Sequence, residues 1–140
     1  MMTWGDRNLD RLAAKYAQAF IAKTIPYKKA GDLDNSVTKA LGVLQEDGVY
    51  ACFLYIMAKE DVTVRNNLIP EMSNLLGNLG FSKKGYNNGN GHELLDYIAN
   101  EVTTDLERLL LAKETLEQML IYARYGAKAA NAQKLAESAK

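Results

Sequence analysis

The sequence predicts an all-α protein, a compact bundle of five or six helices with a long C-terminal helix. Three observations carry that expectation. Apolar residues recur at spacings of three and four in segment after segment, the helical period. The breaks between segments are short and marked by Pro26, Gly48 and a glycine-rich stretch at 80–91. From Thr104 to Tyr125 no glycine or proline intervenes, and Leu, Ala, Lys, Glu and Gln supply high helix propensity.

Asp6 to Thr24 reads as the first helix, with Leu9, Leu12, Ala13, Tyr16 and Phe20 forming its inward stripe. Pro26 ends it, because the residue before a proline avoids the helical region. Tyr27-Lys28-Lys29-Ala30-Gly31 is then an exposed basic connector. Asp32 to Asp47 is the second helix, with Leu33, Val37, Ala40, Leu41 and Leu44 inward and Gly48 as its stop. Val49 to Lys59 is apolar on nearly every side and its period is ambiguous; lacking a partner strand, it reads as a short buried helix. Asp61 to Leu79 makes a fourth helix, in which Pro70 marks either a kink or a fresh start after a break.

Gly80 to Gly91, with four glycines and three asparagines, cannot hold a packed core and reads as a flexible loop. His92 to Asn100 is a short helix leading into the long one. There, Thr104-Asp105-Leu106-Glu107 has the form of a capping box. At 100° per residue, Leu106, Leu109, Ala112, Leu116, Leu120, Ala123 and Ala127 share one broad face. Leu111, Met119, Tyr122 and Tyr125 form a second apolar strip, so the helix is either central in its own domain or covered by another molecule. Residues 129–140 keep helix propensity but lose large apolar side chains, and are expected to fray.

At 140 residues the chain is one helical domain, long enough to bury a core. Its 48% hydrophobic and 24% charged residues suit a soluble globular protein. Formal charge is zero but unevenly spread: residues 1–30 carry six basic side chains against two acidic, and residues 31–60 two against five. A zero balance argues against bulk polyanion binding yet leaves room for a basic face. Cys52, the only cysteine, sits in an apolar run and excludes an internal disulfide. Neither a signal-peptide h-region nor a membrane span is recognisable, so a cytoplasmic location is expected.

No catalytic set can be assembled from these residues. His92 is the only histidine, and no metal-ligand spacing surrounds it; a solvated residue heading a helix is the plainer reading. The glycines of 85–91 match neither a P-loop nor a dinucleotide fingerprint and follow no strand. A non-enzymatic protein without a cofactor or metal is therefore expected.

The cations are more informative. Arg7, Arg11 and Lys15 lie four apart on the side of the first helix away from its stripe, and no acid stands four residues from them. Such a stripe is either a solvated face or a phosphate-contacting one. Lys83 and Lys84 fall in the glycine loop near Tyr86. Arg124 and Lys128 are four apart at the end of the last helix, where they complement its dipole or contact a ligand. Together these seven could follow a phosphodiester backbone without reading bases.

Two stretches carry a resemblance. Ala40-Leu41-Gly42-Val43-Leu44-Gln45-Glu46-Asp47-Gly48-Val49-Tyr50 and the run from Leu109 through Ala112-Lys113 to Leu120-Ile121-Tyr122-Ala123-Arg124-Tyr125 resemble the small all-helical subunit of type III-B CRISPR (Cmr) effector complexes. About a third of the chain is covered, by hydrophobic spacings rather than catalytic signatures. Tyr122 and Tyr125 stand where that family often has Trp or Phe, and Gly126 is a further departure. The resemblance implies a non-catalytic subunit, stacked with copies of itself and with backbone subunits, lining the groove where guide RNA and target RNA pair. Of the cations, only Arg124 falls on a position where the family pattern is basic. Leu111, Met119, Tyr122 and Tyr125 would then meet a neighbouring subunit. The alternative is a helical protein–protein adaptor or homo-oligomeric scaffold with no nucleic-acid role.

Overall fold

The structure, a computed structural model, describes residues 8–81 and 91–138. Among the described residues it holds six α-helices, one π-helical turn and no strand. The expected helix positions hold, and local chemistry sets most of their ends.

Helix α1 spans Leu9–Thr24 and begins where the Asn8 side chain accepts the Arg11 N–H at 2.9 Å. The expected start at Asp6 lies outside the described residues, as does Arg7. Helix α2, Ala30–Asp47, starts two residues earlier than expected. Gly48 takes φ +100°, a left-handed value that glycine adopts without strain, and its N–H bonds to the Leu44 carbonyl. This one residue both stops α2 and opens α3, Val49–Lys59. In α3 the Cys52 thiol donates to the Ala40 carbonyl at 3.4 Å, pinning the short helix against α2.

Helix α4, Val62–Asn78, is capped by Asp61, which accepts the Val64 N–H at 3.0 Å. Pro70 sits inside this continuous helix, so the alternative of a break followed by a new start does not occur. Most of the expected glycine loop, residues 82–90, lies outside the described residues. Helix α5, Gly91–Tyr97, passes into a π-helical turn at Ile98–Val102, which the sequence did not signal. Helix α6 then runs from Leu106 to Ser138, straight through Gly126 and the stretch expected to fray. The capping box is corrected: Asp105, not Thr104, accepts the Arg108 N–H, at 2.9 Å, while the Thr104 hydroxyl turns back to the Glu101 carbonyl. The short Asp105 carboxylate reaches the third N–H of the helix, while the Thr104 hydroxyl is engaged by the preceding turn.

Contacts fix the packing. Gln45 of α2 meets Glu117, and Asp34 meets Lys128, so α2 runs antiparallel to α6. Asp10 meets Tyr122 and Ile21 lies under Gly126, so α1 runs parallel to α6. Helix α6 thus lies between α1 and α2, and α4 closes on α1 through Lys23–Glu71 at 2.7 Å, Asn67–Thr24 at 3.1 Å and Asn78–Tyr16. Phe20, Leu33, Phe53, Leu68, Met72, Ile98 and Leu116 fill the centre with no exposure to solvent. Each such side chain contributes roughly 1.5–3 kcal/mol of burial free energy. A Cβ at Gly126 would stand 3.2 Å from the Ile21 side chain, so the glycine lets α1 and α6 approach closely.

Two sequence expectations for α6 are corrected here. Leu106, expected inward, is 69% exposed. It lies on the α2 side of the helix, in register with Lys113 and Glu117, but α2 ends at Asp47 and leaves that first turn uncovered. Met119, expected on the outward strip, is completely buried. Seven residues, nearly two full turns, separate it from Ala112, so the two point the same way into the core.

Candidate nucleic-acid interface

Of the cations singled out by the sequence, the four that are described owe their setting to the helices that carry them. On α1, the buried residues Ala13, Ala17 and Phe20 fix the inward direction, and Arg11 and Lys15 therefore point away from the core. Arg11 is exposed, and the Lys15 ammonium lies 5.4 Å from the centre of the Tyr16 ring. Among the described residues, neither is within ion-pair distance of a carboxylate. Arg7, Lys83 and Lys84 lie outside the described residues.

Arg124 and Lys128 are brought together with a residue that no sequence signal selects. Asp34 of α2 stands 3.3 Å from the Lys128 ammonium and 3.9 Å from Arg124 Nε. It also accepts the Thr38 hydroxyl at 3.3 Å. The Arg124 Nε is enclosed and makes no hydrogen bond, so its attraction to Asp34 is a Coulombic one without a directed bond. Two cations share one carboxylate, and the cluster keeps a net positive charge. All three side chains reach solvent, Arg124 and Lys128 by more than two fifths of their surface. The helix dipole is not what holds Arg124 and Lys128, because α6 continues ten residues past Lys128.

The expected apolar strip on α6 is not one surface. Met119 is in the core, as described above. Leu111 is half-buried against that core, and Tyr122 is half-buried with its hydroxyl donating to Asp10 of α1. This bond to a carboxylate raises the Tyr122 pKa. Tyr125 alone stands out, 63% exposed, pointing opposite to Leu116, Leu120 and Ala127.

Larger apolar exposure occurs elsewhere. Leu106 and Leu110 on α6 and Tyr50 and Leu54 on α3 are all exposed. They sit at the end of the bundle where α2 finishes, since Lys113 reaches the Gln45 carbonyl there. Periodicity alone misses these four because exposure depends on where the neighbouring helix stops. Near the π-helical turn, the Arg108 guanidinium stacks 4.5 Å over Phe81 and its Nε donates to the Glu101 carbonyl at 3.1 Å. Tyr97 is buried beside them with its hydroxyl unbonded, and burial pushes its pKa to about 12. Local periodicity held no signal for that grouping.

The remaining chemistry is sparse. His92 and Asp96 face one another across one helical turn at 3.5 Å, both well exposed. Lys28 of the connector is ion-paired with Asp61, whose carboxyl is held below its usual range mainly by that bond. Burial pushes the Cys52 thiol to about 12, so it is not a ready nucleophile at neutral pH. Among the described residues, no group of three potential metal ligands gathers, and no helix is long and apolar enough to cross a membrane. No protein-family model matches the chain, and no curated protein or solved structure matches it either.

Proposed function

We propose that this protein is a non-catalytic, RNA-binding structural subunit of a type III-B CRISPR ribonucleoprotein, lining the groove that holds guide and target RNA by contacts to phosphates. The observation that carries the reading is a set of under-compensated cations on α6 and α1. Arg124 and Lys128 divide a single carboxylate between them, and on the adjoining helix Arg11 and Lys15 have none among the described residues. In a chain with no net charge, under-compensated cations on two helices of the bundle support binding of a polyanion over general solubility. Cleavage of the target belongs to a companion subunit in this reading, and copies of the chain and backbone subunits are its neighbours.

RNA affinity of the assembled complex against salt tests it. Replacing Arg124 and Lys128 by alanine should flatten the logarithmic salt dependence by about one unit for each phosphate that is no longer neutralised, on any RNA sequence. A slope identical to that of the unmodified complex removes both residues from the interface.

A second reading is favoured by a different observation. The exposed Leu106, Leu110, Tyr50 and Leu54 at one end of the bundle suit a helical adaptor that binds protein and no nucleic acid. Purification from the native host separates the two readings: a defined small RNA accompanies the first, and nuclease-resistant protein complexes free of RNA accompany the second.

A further inference from the structure

We infer that Tyr125 is a stacking platform for a single unpaired base, so that the Arg124–Lys128 face gains affinity for unpaired RNA beyond the phosphate contacts it makes to paired strands. This rests on the RNA-binding reading above and adds what the unpaired form gains at that face.

Tyr125 lies on the middle of a long helix wedged between α1 and α2, so its Cα is held by packing on both flanks. Its ring is 63% exposed, so most of its surface is open to a ligand. The neighbours on the same outward line are Gln118, half-buried Ile121, Ala129 and Ala132. A protein interface needs roughly 800 Å² from each partner, far more than one exposed tyrosine beside half-buried Ile121 presents. A nucleobase needs one planar face, and a single aromatic ring supplies it. Lys128 stands about one turn further along α6, fixed in place by Asp34, where it can take the phosphate flanking a stacked base.

Tyr122 does not compete for the role. Its hydroxyl is committed to Asp10, and that carboxylate would repel a phosphate brought alongside. In a duplex the base faces are already stacked on each other, which leaves a protruding ring only ribose to touch. The cations serve both forms of RNA, whereas the ring serves the unpaired form alone.

The test uses the full-length chain and two probes: a single-stranded RNA of about twelve nucleotides, and the same strand annealed to its complement. Affinities are read by fluorescence anisotropy at low salt. Tyr125→Ala should weaken single-strand binding by about tenfold and leave duplex binding unchanged. Tyr125→Phe, which keeps the ring, should behave as the parent does. The paired substitution Arg124→Ala, Lys128→Ala should weaken both. If Tyr125→Ala changes neither affinity, or lowers both equally, the stacking role is wrong while the charge-based reading stands. If the parent chain binds neither probe, the stacking role falls, and the charge-based reading is judged by the salt dependence of the assembled complex alone. Helicity by circular dichroism guards the comparison, since an exposed side chain can be truncated without unfolding its helix.

Discussion

Asp34 offers a test in which binding should improve, an outcome that misfolding cannot imitate. Asp34→Asn keeps the shape of the side chain and an oxygen for the Thr38 hydroxyl, and removes the one negative charge that Lys128 and Arg124 share at 3.3 and 3.9 Å. A phosphate resting just beyond those cations would lie about 7 Å from the Asp34 carboxylate. At that distance in water the repulsion is about 0.6 kcal/mol, so its removal should tighten RNA binding about threefold at low salt. Freeing the cations should also steepen the logarithmic salt dependence by up to about 0.7 unit on a single strand. The cost to the fold is small, because solvent-exposed ion pairs contribute about 0–1 kcal/mol. Across a chain of this length that lowers Tm by no more than about 3 °C. The assay is anisotropy over a potassium chloride series, with thermal unfolding in parallel. A variant that folds normally and binds RNA no tighter than the parent would refute the claim that this cluster faces RNA.

Two further outcomes follow from the core and its titrating groups. Met119→Ala should cost about 2–5 kcal/mol and lower Tm by roughly 7–15 °C, as for other buried methionines; a variant as stable as the parent would return Met119 to the surface. Alkaline pH should weaken the fold. Cys52 and Tyr97 keep their protons until about pH 12 in the native state, against ordinary values of 9.0 and 10.0, so between those limits the unfolded chain holds fewer protons. Stability is then flat below about pH 9 and falls above it, which urea midpoints at about pH 8 and about pH 10.5 would reveal. Cys52→Ala should shrink the decline, and a midpoint that does not move would contradict the burial of these groups.

Much of the fold was legible because helix ends are decided locally. Asn8 and Asp61 offer short side-chain acceptors to the first free N–H groups, and Gly48 tolerates a positive φ, whatever the rest of the chain does. Where two local signals competed, at Thr104 and Asp105, the residue adjacent to the helix won. The π-helical turn at Ile98–Val102 escaped notice because its hydrogen bonds depend on how α5 and α6 are joined, a tertiary demand without a composition of its own.

The candidate site was legible only in part. Periodicity selected Arg11, Lys15 and Tyr125 as outward-facing, and they are exposed; Arg124 and Lys128 were marked by their spacing, and the structure turns both toward α2. Periodicity could not supply Asp34, which is ninety positions from Arg124 and meets it only because α2 runs antiparallel to α6.

The sequence by itself determined that this chain is helical, where α2, α3 and α4 begin and end within a residue or two, and which residues most helices turn inward. Those are properties of neighbouring peptide units and of a 3.6-residue repeat. Only the tertiary structure decided how much of each helix is covered and which charges meet. Leu106 is bare because α2 stops short of it, Met119 is hidden because α6 is wedged between two partners, and Lys128 has an acid beside it because a distant helix passes there. Burial and Coulomb attraction both act through distance in space, which a linear pattern does not record.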